Sequence, residues 1–163
     1  MDDPKIQKLI KKYGELTWSE PRDLFEAIVE SIASQQLSVK ASDTIFGRFK
    51  DLYGKKFPTP KQILNTPDEK LRSVGLSGAK VKYIKSLAEF IDSKQLILEN
   101  LNNLSDEEVI VELTKVKGIG KWTAEMILIF TLRRPDVFSL GDLALRKAVS
   151  KLYGVDVKDF AKI

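Results

Sequence analysis

Apolar residues in this 163-residue chain return every three or four positions, and nowhere do they alternate singly over a sustained stretch. That spacing commits the backbone to helices, and the fold class it implies is all-α. The segment "SGAKVKYIKSLAEFIDS" places Val81, Ile84, Leu87 or Ala88, and Ile91 on one face. "SEPRDLFEAIVESIASQQL" offers Ser19 as an N-cap, Pro21 in the first turn, and Leu24, Ile28 and Ile32 at helical spacing. "VKASDTIFGRFKDLYG" puts Ala41, Ile45, Phe49 and Leu52 on one face and ends at Gly54. "TPKQILNT" and "PDEKLRSVG" are short helices, the second closed by Gly75. Ser105 with Glu108 forms the capping-box pattern of "SDEEVIVELTKV". "GKWTAEMILIFTLRR" is apolar on nearly every side and is expected in the middle of the domain, with Arg133 and Arg134 against its C-terminal dipole. "DLALRKAVSKLYG" follows, capped by Asp142. No repeat and no low-complexity linker interrupts the pattern.

Composition then limits the chemistry. The chain has no His and no Cys, which excludes a His base, a Cys nucleophile, disulfides, iron–sulfur clusters and ordinary zinc sites. Acid–base or electrostatic work falls to Asp, Glu, Lys, Tyr or water. With 43% hydrophobic and 31% charged residues, a buried core is expected and disorder is not. No apolar run reaches the roughly 20 residues of a membrane span, and "MDDPKIQKLIKKYG" is no signal peptide, so the expectation is an intracellular protein without a membrane partner. The net charge of +4 is compatible with nucleic acid and decides little alone.

Gly118 and Gly120 sit at the turn of a helix–turn–helix, "EEVIVELTKVKGIGKWTAEMILIF". Glycines allow positive φ and close approach of the backbone, so the N–H groups opening the second helix can face a phosphate oxygen. Lys115, Lys117 and Lys121 surround them with charge. An αα-hairpin whose glycines merely end one helix explains the same residues. Gly75, Ser77, Gly78 and Lys80 precede another helix and make a second anion-binding start, while Lys82 and Lys85 fit a solvated face equally well.

The pieces "IASQQLSVKASDTIFGRF", "LRSVGLSGAKVKYIKSLAEFI", "LTKVKGIGKWTAEMILIF" and "DVFSLGDLALRKAV" resemble, in order, the helix-hairpin-helix DNA glycosylase superfamily, and within it the 3-methyladenine DNA glycosylase II (alkylpurine) branch. The likeness runs from about Leu24 to Leu152 and includes G-[LF]-S-x-x-K and V-x-G-I-G-x-W-T-A. It implies two helical lobes around the hairpin, with a cleft between them, and a single glycosylase domain over 1–163. The activity implied is removal of alkylated purines from double-stranded DNA by a monomer, in the cytoplasm of a prokaryote or the nucleus of a eukaryote.

By the same resemblance, Lys117, Gly118, Ile119, Gly120 and Lys121 grip the DNA backbone, helped by Gly78 and Lys80. Hairpin carbonyls have room for a monovalent cation; no cofactor or other metal serves catalysis. Asp142 matches the acidic residue of the superfamily, and Trp122 stands where strand-cleaving members carry a catalytic Lys. That implies a monofunctional enzyme using water. Trp122 lines the base pocket, where an indole can stack on a flipped cationic base. Gln36 is the wedge that fills the vacated stack, and Gln35 contacts the pocket or supports the loop. Tyr13, Trp18 and Phe25 are open candidates for the opposite wall. A carboxylate under the sugar stabilises the cation that develops at C1′. An N-cap role for Asp142, a core role for Trp122 and a plain polar loop for the glutamines are the structural alternatives.

Three departures from the family are visible. The chain has no room for the N-terminal sheet domain of larger relatives, it stops at Ile163 where relatives continue into a final helix, and Leu140-Gly141 precedes Asp142 in place of Gly-Pro or Pro-Asp. Two other readings stay open: a glycosylase of this fold for uracil, a deaminated purine or an oxidised base, and a non-catalytic DNA-binding module.

Overall fold

The computed structural model describes residues 3–18, 22–54, 56–156 and 158. Among them all regular structure is helical: α1 (Pro4–Tyr13), α2 (Leu24–Ser34), α3 (Val39–Asp51), α4 (Pro60–Asn65), α5 (Asp68–Ser73), α6 (Gly78–Asp92), a 3-10 turn (Leu98–Asn103), α7 (Asp106–Thr114), α8 (Lys121–Phe130) and α9 (Leu143–Tyr153). The chain divides into two units, one made of 1–21 with 139–163 and the other of 22–138.

In the larger unit the helix starts follow the capping chemistry of the sequence. Ser105 and Glu108 form the capping box of α7, and Thr59 with Gln62 forms a second one at α4. Ser77 accepts from the Lys80 amide at the start of α6. The start of α2 is set by Asp23, whose carboxylate accepts from the Glu26 amide at 2.8 Å; Ser19 and Pro21 lie outside the described residues.

The middle of this unit is α2, not α8. Phe25, Ala27, Ile28, Val29, Ile32 and Ala33 of α2 are all buried, and α2 packs against α3, α6 and α8. Burying a side chain such as Ile28 or Ile32 contributes roughly 1.5–3 kcal/mol each. In α8 the buried face is Thr123, Ala124, Glu125, Ile127 and Leu128, while Trp122 and Phe130 are exposed. Met126, between them at four-residue spacing, is half-buried. The helix is apolar all round in sequence, yet one apolar face is left outside the unit's core.

Three further expectations are corrected. The buried stripe of α3 is Ser42, Phe46 and Phe49: Phe49 is buried as expected, but Ser42 and Phe46 take the places of Ala41 and Ile45 because Phe46 turns with Phe49 toward Phe57, and Leu52 is left exposed. Phe25 belongs to this aromatic cluster, edge-on to Phe57 at 5.5 Å, and is core rather than pocket wall. Arg134 follows α8, which ends at Phe130, and closes it with its amide, which donates to the Leu128 carbonyl at 2.9 Å, rather than with its charge. Its guanidinium donates to the carbonyls of Leu101, Asn102 and Leu104 at 3.3, 3.1 and 2.8 Å, gathering the end of the 3-10 turn.

The smaller unit joins α1, which the sequence had offered only as a charged start, to α9. Asp3 caps α1 and also accepts from the Tyr153 hydroxyl at 2.7 Å, and the Lys5 ammonium lies 4.8 Å from the centre of the Tyr153 ring. Gly154, left-handed at φ 74°, ends α9.

The Tyr153–Asp3 bond holds the Tyr153 pKa above 10.0 and the Asp3 pKa below 3.8. The raised phenol contributes stability that is present below pH 10 and lost as pH rises through its folded value. The lowered carboxylate contributes stability that is present above pH 3.8 and lost as pH falls through its folded value. Denaturant unfolding across pH is therefore expected to show Tyr153→Phe with shallower losses of stability at both extremes than wild type, and close to it at pH 7 in slope.

Candidate functional site

The hairpin between α7 and α8 is built on a close approach. Gly118 has φ 92°, and a Cβ there would lie 2.1 Å from Cγ of Tyr83 on α6. Only glycine meets both conditions. The turn is tied by the Val116 amide on the Leu113 carbonyl and the Ile119 amide on the Val116 carbonyl, each at 3.1 Å. Ile119 is buried at 4% exposure, so this residue anchors the hairpin in the core. The Ile119 N–H, expected to face the DNA backbone, donates to the Val116 carbonyl inside the turn.

The donors for an anion lie one step later. Gly120 is the N-cap of α8 and supplies no side-chain bond, whereas α1, α2, α3, α6, α7 and α9 all carry one among the described residues. The first amides of α8, with the positive end of its dipole, form a site suited to a phosphate oxygen. Lys117 and Lys121 are exposed beside them. The Lys121 ammonium stands 3.9 Å from the buried Glu125 carboxylate one turn on, and Lys115 is paired with Glu112 at 2.6 Å. Gly78 begins α6 as an exposed residue, but there Ser77 already caps the helix through the Lys80 amide at 3.3 Å.

The loop "SQQLS" is held from two sides. The Gln35 side-chain amide donates to the Gly118 carbonyl at 3.0 Å. The Lys80 ammonium donates to the Ala33 carbonyl at 2.8 Å, in the last turn of α2. A cation there complements the negative end of the α2 dipole. Partial burial pulls the Lys80 pKa below its ordinary 10.5. Lys80 is thus placed as a strap between helices. Gln36, next in the loop, is exposed and left-handed at φ 56°, a conformation that costs a non-glycine residue about 1–3 kcal/mol. Sequence had marked the glutamines as odd; it gave no signal of Tyr83, which fixes the hairpin, or of the bond between Gln35 and Gly118.

Trp122 is the second residue of α8 and 44% exposed, while its neighbours Thr123 and Ala124 are buried. The core reading of this Trp is therefore not the one the fold adopts. Met126 and Phe130 continue its face of α8. A cavity of about 210 Å³ in the same unit is lined by Met126, Phe130, Ser31, Ser34, Glu30 and Arg22, the last two ion-paired.

Asp142 belongs to the smaller unit. It is the N-cap of α9, and its Oδ1 accepts from the Leu145 amide at 2.8 Å. The cap fixes the carboxylate at the helix start. A carboxylate has about four acceptor positions, so capping and facing a cation are compatible. Asp142 and Trp122 lie in different units, and their working together is part of the proposal below. Among the described residues no group of His, Cys, Asp or Glu has the arrangement of a metal site, and no helix is long and apolar enough to cross a membrane.

The family model described as HhH-GPD superfamily base excision DNA repair protein matches residues 29–162. DNA-3-methyladenine glycosylase 1 of Schizosaccharomyces pombe is 39% identical over 151 residues, 91% of this chain and 66% of that protein. Among solved structures, DNA-3-methyladenine glycosidase from Bacillus halodurans superposes with a TM-score of 0.84 at 35% identity, covering 99% of this chain and 80% of the other. The Schizosaccharomyces pombe 3-methyladenine DNA glycosylase in complex with abasic DNA gives 0.82 at 38% identity, covering 95% and 78%. On the match to most of its length and the agreement in fold, this chain belongs to the HhH-GPD superfamily of base excision DNA repair proteins.

Proposed function

We propose that the chain is a monofunctional DNA glycosylase that removes alkylated purines, of the 3-methyladenine and 7-methylguanine type, from double-stranded DNA. The observation that carries this reading is the pairing of two features in one chain: an uncapped, lysine-flanked start of α8 with an exposed Trp122, and Asp142 held by its cap at the start of α9. The relatives named for 3-methyladenine, one of them solved with abasic DNA, support the same substrate class.

The chemistry follows from the residue types. N3- or N7-alkylation makes the purine cationic. When the C1′–N bond breaks, its electron pair goes to the base, which departs neutral and needs no acid to protonate it. The absence of His is no obstacle to such a leaving group. Positive charge then develops on the sugar, where a fixed carboxylate stabilises it more than it stabilises the ground state. Asp142 takes that role and orients the attacking water. Trp122, which is 44% exposed, stacks on the flipped cationic base, an attraction of roughly 0.5–2 kcal/mol. The residue following it in role is Gln36, whose exposed amide fills the vacated stack and hydrogen-bonds the orphaned partner base.

Backbone grip falls to the first amides of α8 with Gly118, Gly120, Lys117 and Lys121, and Gly78 adds a weaker contact. A monovalent cation fits the hairpin's donor set: the Val116 and Gly118 carbonyls each accept one protein N–H, and a carbonyl has a second lone pair. Bound there, it would add positive charge for a phosphate. The enzyme works as a single domain and a monomer, wherever the cell's DNA is.

Base release from methylated duplex DNA tests the reading. Wild type is expected to free 3-methyladenine or 7-methylguanine with no strand break until alkali is added. Asp142→Asn is expected to lower that rate by at least about 100-fold while still binding DNA. Retained activity in Asp142→Asn removes the mechanism; no release by wild type that still binds DNA removes the substrate class. Lys117→Ala with Lys121→Ala should weaken binding to all duplexes alike and reduce the slope of log K against log salt by up to about 2.

A further inference from the structure

The loop that carries Gln36 has no secondary structure of its own, and its strained residue needs support. Between the end of α2 and the start of α3, the Leu37 amide reaches back to the Ser34 carbonyl at 3.1 Å, which alone makes only a turn. Two long-range bonds do the rest. One comes from Lys80 at the base of the loop, and the other from Gln35 directly before the wedge. The Gln35 bond ends on the carbonyl of Gly118, the residue whose close packing on Tyr83 sets the hairpin. The loop expected to enter the DNA stack and the hairpin expected to hold its phosphate are therefore joined by a single amide, 83 residues apart in sequence.

We propose that Gln35 is a positioning residue that couples backbone grip to wedge insertion, and that it acts through Gln36 and the hairpin rather than on the lesion base. The proposal rests on the reading of Gln36 as the wedge. The physical ground is that a side chain donating its N–H₂ to a main-chain carbonyl is fixed in rotamer and direction. Moving the Gln35 amide into a base pocket would break that bond and leave the Gly118 carbonyl without this donor. Holding Gln36 at φ 56° costs strain, and the Gln35 bond offsets it by fixing the preceding residue. When a phosphate settles on α8, the wedge is then already at a set distance from it.

A pocket residue and a positioning residue differ in what they couple to. The measurement is affinity for duplex carrying a stable tetrahydrofuran abasic site, against undamaged duplex, for Gln35→Leu, Gln35→Glu, Gln36→Ala and the double variants. Gln35→Glu keeps the volume and replaces the donor by an acceptor facing a carbonyl, so it guards against a loss that reflects packing alone. The expected result is a loss of about ten-fold in abasic-site affinity for each Gln35 variant, with undamaged-duplex affinity unchanged. Gln35→Leu in a Gln36→Ala background should cost little more, since the second residue acts through the first. In base release, both alkylpurines should slow by the same factor. Fully additive losses, or a changed ratio of 3-methyladenine to 7-methylguanine released, would overturn the proposal. Abasic-site affinity is read without catalysis, so a wild type that releases no base fails the functional reading and still leaves the coupling decided.

Discussion

The contact on which the larger unit's working surface depends is that of Gly118 with the face of Tyr83. A backbone at φ 92° lying against an aromatic ring leaves no room for any side chain, and it brings the hairpin down onto α6. From that point three things follow in space. The Ile119 side chain drops into the core, the next residues open α8 without a cap, and the Gly118 carbonyl is presented to Gln35. The uncapped start of α8, the loop of glutamines and the α6 start strapped by Lys80 are thus parts of one bonded arrangement.

Charge is used sparingly in this arrangement. The net charge is +4. Lys115 and Lys121 each have a carboxylate nearby, and Lys80 is turned onto a helix end. The proposed grip therefore adds directional groups, the first main-chain N–H groups of α8 and its dipole, to the exposed Lys117 and Lys121. The same economy governs Asp142, where the cap that opens α9 also fixes the carboxylate that we propose faces the sugar cation.

Much of this was legible in the sequence, and the reasons for the failures are physical. Caps at Ser105 and Asp142 could be read because a capping oxygen acts within three residues of itself. The stripe Val81, Ile84, Leu87 and Ala88 of α6 could be read because its neighbours on the far side are polar. Helix α8 misled because apolar residues on every side fit burial, whereas its Trp122 and Phe130 are exposed. Arg134 misled because its partners, the carbonyls of the 3-10 turn, lie some 30 positions away. Tyr83 and the Gln35 bond were out of reach for the same reason: they join segments that only the fold brings together. Ile119 shows the finer limit, since a motif names a residue without saying whether its amide points outward or into its own turn.

The account's central claim is that Asp142 stabilises a cation at the sugar. Its most direct test is the affinity for duplex carrying a positively charged pyrrolidine in place of the deoxyribose, compared with the neutral tetrahydrofuran analogue. The account predicts that wild type prefers the cation by at least about 100-fold and that Asp142→Asn loses the preference. Equal binding of the two analogues by wild type, or a preference that survives in Asp142→Asn, would contradict it.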